Sequence, residues 1–284
     1  MNRTRRQVVN NLLLGWLGIG TFVASPSLAA NPDSSLKAPM ANDADLPELV
    51  LCIPGPWKDR AELVKAIVEH SKGYVFAGRV LMHMETKFTC ELVHEKADSR
   101  MPIAFAAAGP HWKTSPEMKA IGEHRSVVYL VGKGGSQLNA EAMMLAARGV
   151  LLAGGLGVKV ESTGIAHSPR AWLEFCDNIH LFTAHQAFVL YVTGPDVYSC
   201  GMHNLGLRDA ITSGVDKAEA VELLREFTRY LFTESPTIKA GQTFGVAVDA
   251  PVYRIGNDEG VQYDPGSLFT NPYGYWRLTA TAHR

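Results

Sequence analysis

Ser126-Val127-Val128-Tyr129-Leu130-Val131 is an almost wholly apolar run, and Gly132-Lys133-Gly134-Gly135-Ser136 follows it directly. Asn139 to Ala153 comes next, with Glu141 and Arg148 as its only charged residues, and Gly154-Gly155 ends it. Val158-Lys159-Val160-Glu161 then alternates apolar and charged residues. The order reads as strand, tight turn, helix, glycine stop and strand. So few charges on the helix predict that most of its circumference is buried, with Leu145 in the core.

The same order opens the chain's apolar part. Leu49 to Ile53 reads as a buried strand, Pro54-Gly55-Pro56 as a turn, and Asp59 to Lys72 as a helix. Ala61, Val64, Ile67 and Val68 form the stripe of that helix, which Gly73 stops. Tyr74–Met84 and Phe88–His94 then read as strands, and Met101–Ala108 as a third. The shared order of elements is a weak sign of internal duplication, in pattern and not in residue identity. Further on, Leu181–Val192 and Val197–Gly206 are strand-like. Asp216-Lys217-Ala218-Glu219 has capping-box spacing before a helix with Val221, Leu224, Phe227 and Leu231 as its stripe. Thr243–Val248 and Val252–Ile255 read as late strands, and Trp276–Ala280 as a sheet edge. Strict βα alternation is missing. The prediction is an α+β fold, a mixed or antiparallel sheet with about three main helices packed on it.

The 284 residues carry 27 basic and 28 acidic side chains, a net charge of −1, which removes a strongly basic nucleic-acid binder from consideration. Four cysteines are too few to build a disulfide scaffold of this size. The N-terminus differs from the rest. Arg3, Arg5 and Arg6 precede the glycine-containing apolar run Leu12–Ala24, then Ser25-Pro26-Ser27-Leu28-Ala29-Ala30. That is the layout of an export signal over residues 1–29, cut before Ala30. The run is short of the roughly 20 apolar residues of a membrane span. Thr4-Arg5-Arg6-Gln7-Val8-Val9 is similar to a twin-arginine signal, the general secretory route being the alternative. Residues 30–47 read as a flexible leader and 48–284 as a single α+β domain. The expected location is periplasmic or secreted, with no stable membrane anchor after cleavage. Folding before export through the twin-arginine route favours reduced or only partly bridged Cys52, Cys90, Cys176 and Cys200.

No serine-hydrolase elbow, zinc-protease helix, Cys-x-x-Cys or Walker loop occurs in the sequence. The Gly132–Ser136 loop could cradle an anion, but glycine's φ freedom in a tight connection accounts for it. His167, His180 and His185 lack the further ligands of a recognisable metal set, so no metal and no cofactor is expected. Ser168 and Pro169 fit the cap and first position of a helix that includes Trp172, leaving His167 unexplained at a strand end. Gly201 to Asp209 places His203, Asn204, Arg208 and Asp209 where the chain turns. Cys200 and His203 fall on opposite sides of a regular strand, which argues against a thiol nucleophile. We expect His167, Trp172, His203, Asn204, Arg208 and Asp209 to form a polar recess for recognition rather than chemistry.

Several ordered motifs resemble a bacterial family, domain of unknown function 4261. They are Trp112 with His124-Arg125-Ser126-Val127-Val128-Tyr129, Leu156-Gly157-Val158-Lys159-Val160, Ser162-Thr163-Gly164 with His167-Ser168-Pro169, Tyr198 to Asp209, and Gly241-Gln242-Thr243-Phe244-Gly245. Val158-Lys159-Val160 and Asp209 are its loosest matches. The resemblance spans Trp112 to Gly245 and implies an α+β fold, without an activity or catalytic residues. The expected function is an exported, non-catalytic module whose partner is another protein or a small ligand, not nucleic acid. A hydrolase or metal-dependent enzyme of unrecognised type and a periplasmic small-ligand carrier are the alternatives.

Overall fold

A computed structural model describes residues 46–180 and 182–281. The export signal, its cleavage site and nearly all of the leader lie outside the described residues. No described helix is long and apolar enough to cross a membrane.

The folded part has two sheets. The first holds β1 (Glu48–Gly55), β2 (Tyr74–Ala77), β3 (Val80–His83), β4 (Thr89–Lys96), β5 (Ser126–Lys133), β6 (Val158–Val160) and β7 (Ala166–His167). Its order is β2-β3-β4-β5-β1-β6-β7, and every pairing is antiparallel. The apolar run at Ser126 is β5, set centrally against β1 in a register from Glu48↔Lys133 to Gly55↔Ser126. The second sheet holds β8 (Leu190–Thr193), β9 (Val197–Cys200), β10 (Asp209–Thr212), β11 (Thr243–Phe244), β12 (Tyr253–Asp258) and β13 (Tyr275–Ala280). Its order is β11-β12-β13-β10-β9-β8, with β10 and β13 parallel. The α+β class holds, built on two sheets rather than one.

Seven α-helices are described: α1 (Arg60–His70), α2 (Met101–Ala107), α3 (Glu117–Gly122), α4 (Gln137–Leu152), α5 (Pro169–Asp177), α6 (Thr183–Phe188) and α7 (Lys217–Glu234). Asp59, Ser136, Ser168 and Asp216 cap α1, α4, α5 and α7 with side-chain oxygens that accept first-turn N–H groups. α4 packs on β1 and β5, and α7 on β8, β9 and β10.

Several expectations are corrected. Met101–Ala107 is a helix, not a strand: Pro102 suits its first turn, and Met101 and Phe105 bury one turn apart. Thr183–Phe188 is helical, and only Leu190–Thr193 of that strand-like segment pairs. A short uninterrupted apolar run has no period to separate the two states. Tyr74–Met84 is a hairpin, turned at Gly78 with φ 57°. The strand expected over Thr243–Val248 stops at Phe244, and β13 is an inner strand between β12 and β10 rather than an edge.

Leu145 is the clearest correction. Ala140, Met143, Met144, Ala146, Ala147, Val150 and Leu151 of α4 are buried, but Leu145 is 39% exposed and Leu138 76%. Seven residues apart, these two leucines share the helix side opposite Ala140, Met144 and Ala147. Truncation should separate the faces. Met144→Ala should cost about 2–5 kcal/mol and Leu145→Ala under about 1 kcal/mol, read from chemical denaturation midpoints. Equal losses would place both side chains in the core.

Candidate functional site

The segment Gly201–Asp209 supplies the densest polar chemistry in the second sheet, and most of it faces inward. After β9 the chain makes a 3₁₀ turn over Met202–Leu205, entered at Gly201 (φ 121°) and left at Gly206 (φ 80°). His203, Asn204 and Asp209 are all fully buried. Asp209 is the hub. One carboxyl oxygen accepts the Ser199 hydroxyl at 2.8 Å and the Met202 N–H at 3.3 Å, and the other accepts Asn271 Nδ2 at 2.7 Å. Ser199 Oγ accepts the Ala210 N–H in turn, and Asn271 Nδ2 also donates to the Leu207 carbonyl. His203 Nδ1 lies 3.9 Å from Asp209 Oδ2, beyond hydrogen-bonding reach.

Asn204 ties this turn to the first sheet. Its side-chain Oδ1 accepts the Ser162 hydroxyl at 3.0 Å, and its backbone carbonyl accepts the Gly135 N–H at 3.0 Å. A Cβ at Gly206 would collide with the Gly135 carbonyl, and one at Gly201 with the Phe188 carbonyl. The glycine loop considered for anion binding is therefore filled by its own chain. Gly134 N–H donates to the Pro47 carbonyl, Gly135 N–H to Asn204, and Ser136 Oγ caps Asn139. Both motifs are explained as halves of one joint.

The other expected residues have partners of their own. His167 ends β7 with Nε2 2.9 Å from the Ala187 carbonyl and its ring against Trp172 and Phe175. Burial pulls its pKa down to about 4. Trp172 is buried and donates to the Met144 carbonyl at 3.1 Å. Arg208 turns from the hub, donating to the Tyr273 carbonyl and Asn257 Oδ1 and stacking over Trp276 at 4.2 Å. Among the described residues no hydrogen bond, ion pair or ring contact joins His167 to His203.

Sequence reading missed the interior charge of β6. Lys159 and Glu161 pair at 2.9 Å, both almost fully buried, with Lys159 in register beside Cys52. The alternating pattern marked a strand without showing that its charges lie inside. All four cysteines are free and buried. Burial raises the Cys52 and Cys200 thiols well above the usual range and those of Cys90 and Cys176 to about 12, so none is a ready thiolate.

An open groove lies at the sheet's far end. It has a volume of about 710 Å³ and runs between the C-terminal part of α7 and β11, lined by Tyr230, Ile255, residues 236–238 and residues 241–245. Phe244 packs on Phe227 at 5.0 Å and Tyr230 at 5.7 Å. Val246, Val248 and Val252 stand exposed after β11, Val248 almost completely. The Gly241–Gly245 motif thus borders the groove.

His185 links α6 to α7: its Nε2 lies 3.0 Å from Thr228 Oγ1, which also bonds the Tyr191 hydroxyl. Burial, reinforced by Arg229 and Arg225, lowers its pKa from 6.5 to about 4. The unfolded chain takes up this proton near pH 6.5, so between those values it binds more protons than the fold. Stability should fall as pH is lowered through the window. In His185→Gln the denaturation midpoint should drop less between pH 7 and 5 than in the wild type; an equal drop would contradict a neutral buried ring.

No curated protein and no solved structure gives a significant match to the chain. The family model described as Domain of unknown function (DUF4261) matches residues 198–269. That span starts later than the resemblance drawn from Trp112 and runs past Gly245; it takes in the Gly201–Asp209 turn and the groove, and leaves out His167 and Trp172. Over residues 198–269 the chain carries the sequence pattern of domain of unknown function 4261.

Proposed function

We propose that this protein is an exported, non-catalytic module that binds another protein at the β11 end of its six-stranded sheet. The observation that carries the reading is the groove at β11, lined by Tyr230, Ile238 and Phe244, together with the exposed Val246, Val248 and Val252 of the chain that follows. Large apolar side chains left exposed near an open groove favour contact with a partner. The polar cluster that would otherwise invite an enzymatic reading is closed: His203, Asn204 and Asp209 have no exposed surface, and the bonds of Asn204 and Asp209 hold the fold. Among the described residues no three His, Cys, Asp or Glu side chains converge as a metal ion needs. A small-ligand carrier encloses most of its cargo, whereas this groove is open along one side. The paired Arg5-Arg6 ahead of an apolar run supports export to the periplasm or beyond.

One experiment in the native cell addresses both parts. A photo-crosslinking residue at Val248 should give a discrete protein adduct outside the cytoplasm, and one at Ile103, 71% exposed on α2, should not. Equal background labelling at both positions would overturn the binding surface. Arg5→Lys with Arg6→Lys should hold the protein and its adduct in the cytoplasm; unchanged export would assign the general secretory route instead.

A further inference from the structure

We infer that the bound partner presents an extended, uncharged, apolar segment that pairs with β11 as an added strand. This rests on the protein-binding reading above and specifies its partner. β11 is the terminal strand of its sheet. Ile255 N–H donates to the Gln242 carbonyl at 2.8 Å, and Thr243 and Phe244 face Arg254 and Tyr253. Backbone direction alternates along an antiparallel strand, so the N–H and C=O of Thr243 point away from β12. Thr243 is exposed. This outward N–H and C=O pair is a point at which an extended chain can add in register.

The other sheet edges are guarded. Arg60 lies over the Phe76 ring of β2, 4.0 Å from its centre, and donates to the Gly78 carbonyl. Arg225 stands over Tyr191 of β8. Trp112 covers β7, its Nε1 bonded to the Ala166 carbonyl. Charges and covering groups of this kind stop strands from adding. Around β11 the sequence Gly241-Gln242-Thr243-Phe244-Gly245-Val246-Ala247-Val248 has no charged residue. Side chains of an added strand alternate between faces, so every second one would lie toward Phe244 and Ile255 in the groove. An uncharged groove favours apolar side chains there and disfavours buried charge.

A random eight-residue peptide display library, selected on the full chain, is the probe. Enriched peptides should alternate apolar residues and lack a central proline. The best one, synthesised, should lose about tenfold or more in affinity for Thr243→Pro, which deletes the outward donor, and keep its affinity for Thr243→Ala. N-methylating every second amide of the peptide should abolish binding in one parity and spare it in the other, a result independent of how any variant folds. Peptides with helical spacing, or equal tolerance of both methylation parities, would overturn strand addition while leaving a protein-binding surface in place. No enrichment, together with no adduct at Val248, would overturn both.

Discussion

The contact between the Gly201–Asp209 turn and the Gly132–Ser136 loop is the constraint on which the rest of the fold depends. It joins the second sheet to the N-terminus of α4, the helix that lies across the centre of the first. The hydrogen bond from Gly135 N–H to the Asn204 carbonyl is only part of it. Backbone approaches backbone so closely that Gly206 has no room for a Cβ against the Gly135 carbonyl, and its φ of 80° is one that L-residues seldom take. Asp209 then fixes the turn from beneath by collecting donors from β9, from the turn and from Asn271. A buried carboxyl group surrounded by donors specifies one arrangement of those strands, because any slip strands a polar group in the interior.

The interior carries this polar chemistry at a cost. Neither His203 ring nitrogen, Asn204 Nδ2 nor the Tyr275 hydroxyl has a hydrogen-bond partner among the described residues. The Lys159–Glu161 pair in the first sheet adds two buried charges whose attraction must offset their desolvation. These features look like active-site chemistry in a residue count. In three dimensions they are closed off, whereas β11 and the residues after it lie at an open edge of the second sheet.

Much of the local structure was legible in the sequence. The helix caps at Ser168 and Asp216 were legible because a short polar side chain before a periodic run has one favourable use, whereas those at Asp59 and Ser136 emerge only from the structure. β1 and β5 were legible as unbroken apolar runs. α2 and α6 were not, since their apolar residues are too few and too continuous to display a period. The α+β class was legible, but its division into two sheets depends on long-range pairing such as β10 with β13. Leu145 was misread because composition counts the charges on α4 without locating its outward face. At the candidate site, the polar residues of Gly201–Asp209 were visible, but not that Gly135 would take the Asn204 carbonyl; that contact spans two sheets. The groove was hidden because Phe244 and the valines after it read as an ordinary strand, and only the arrest of β11 after two residues exposes them.

The central claim is that the glycine-bearing turn is a structural joint and not an accessible site. Native-state hydrogen exchange at the Gly135 amide reads this directly, because that N–H is bonded to Asn204 only while the joint is closed. The account predicts that it exchanges as slowly as the amides shared by β1 and β5, opening only with global unfolding. Exchange many orders faster than that core, with the β1–β5 amides still protected, would show that the turn leaves the glycine loop in the native state and would contradict the account.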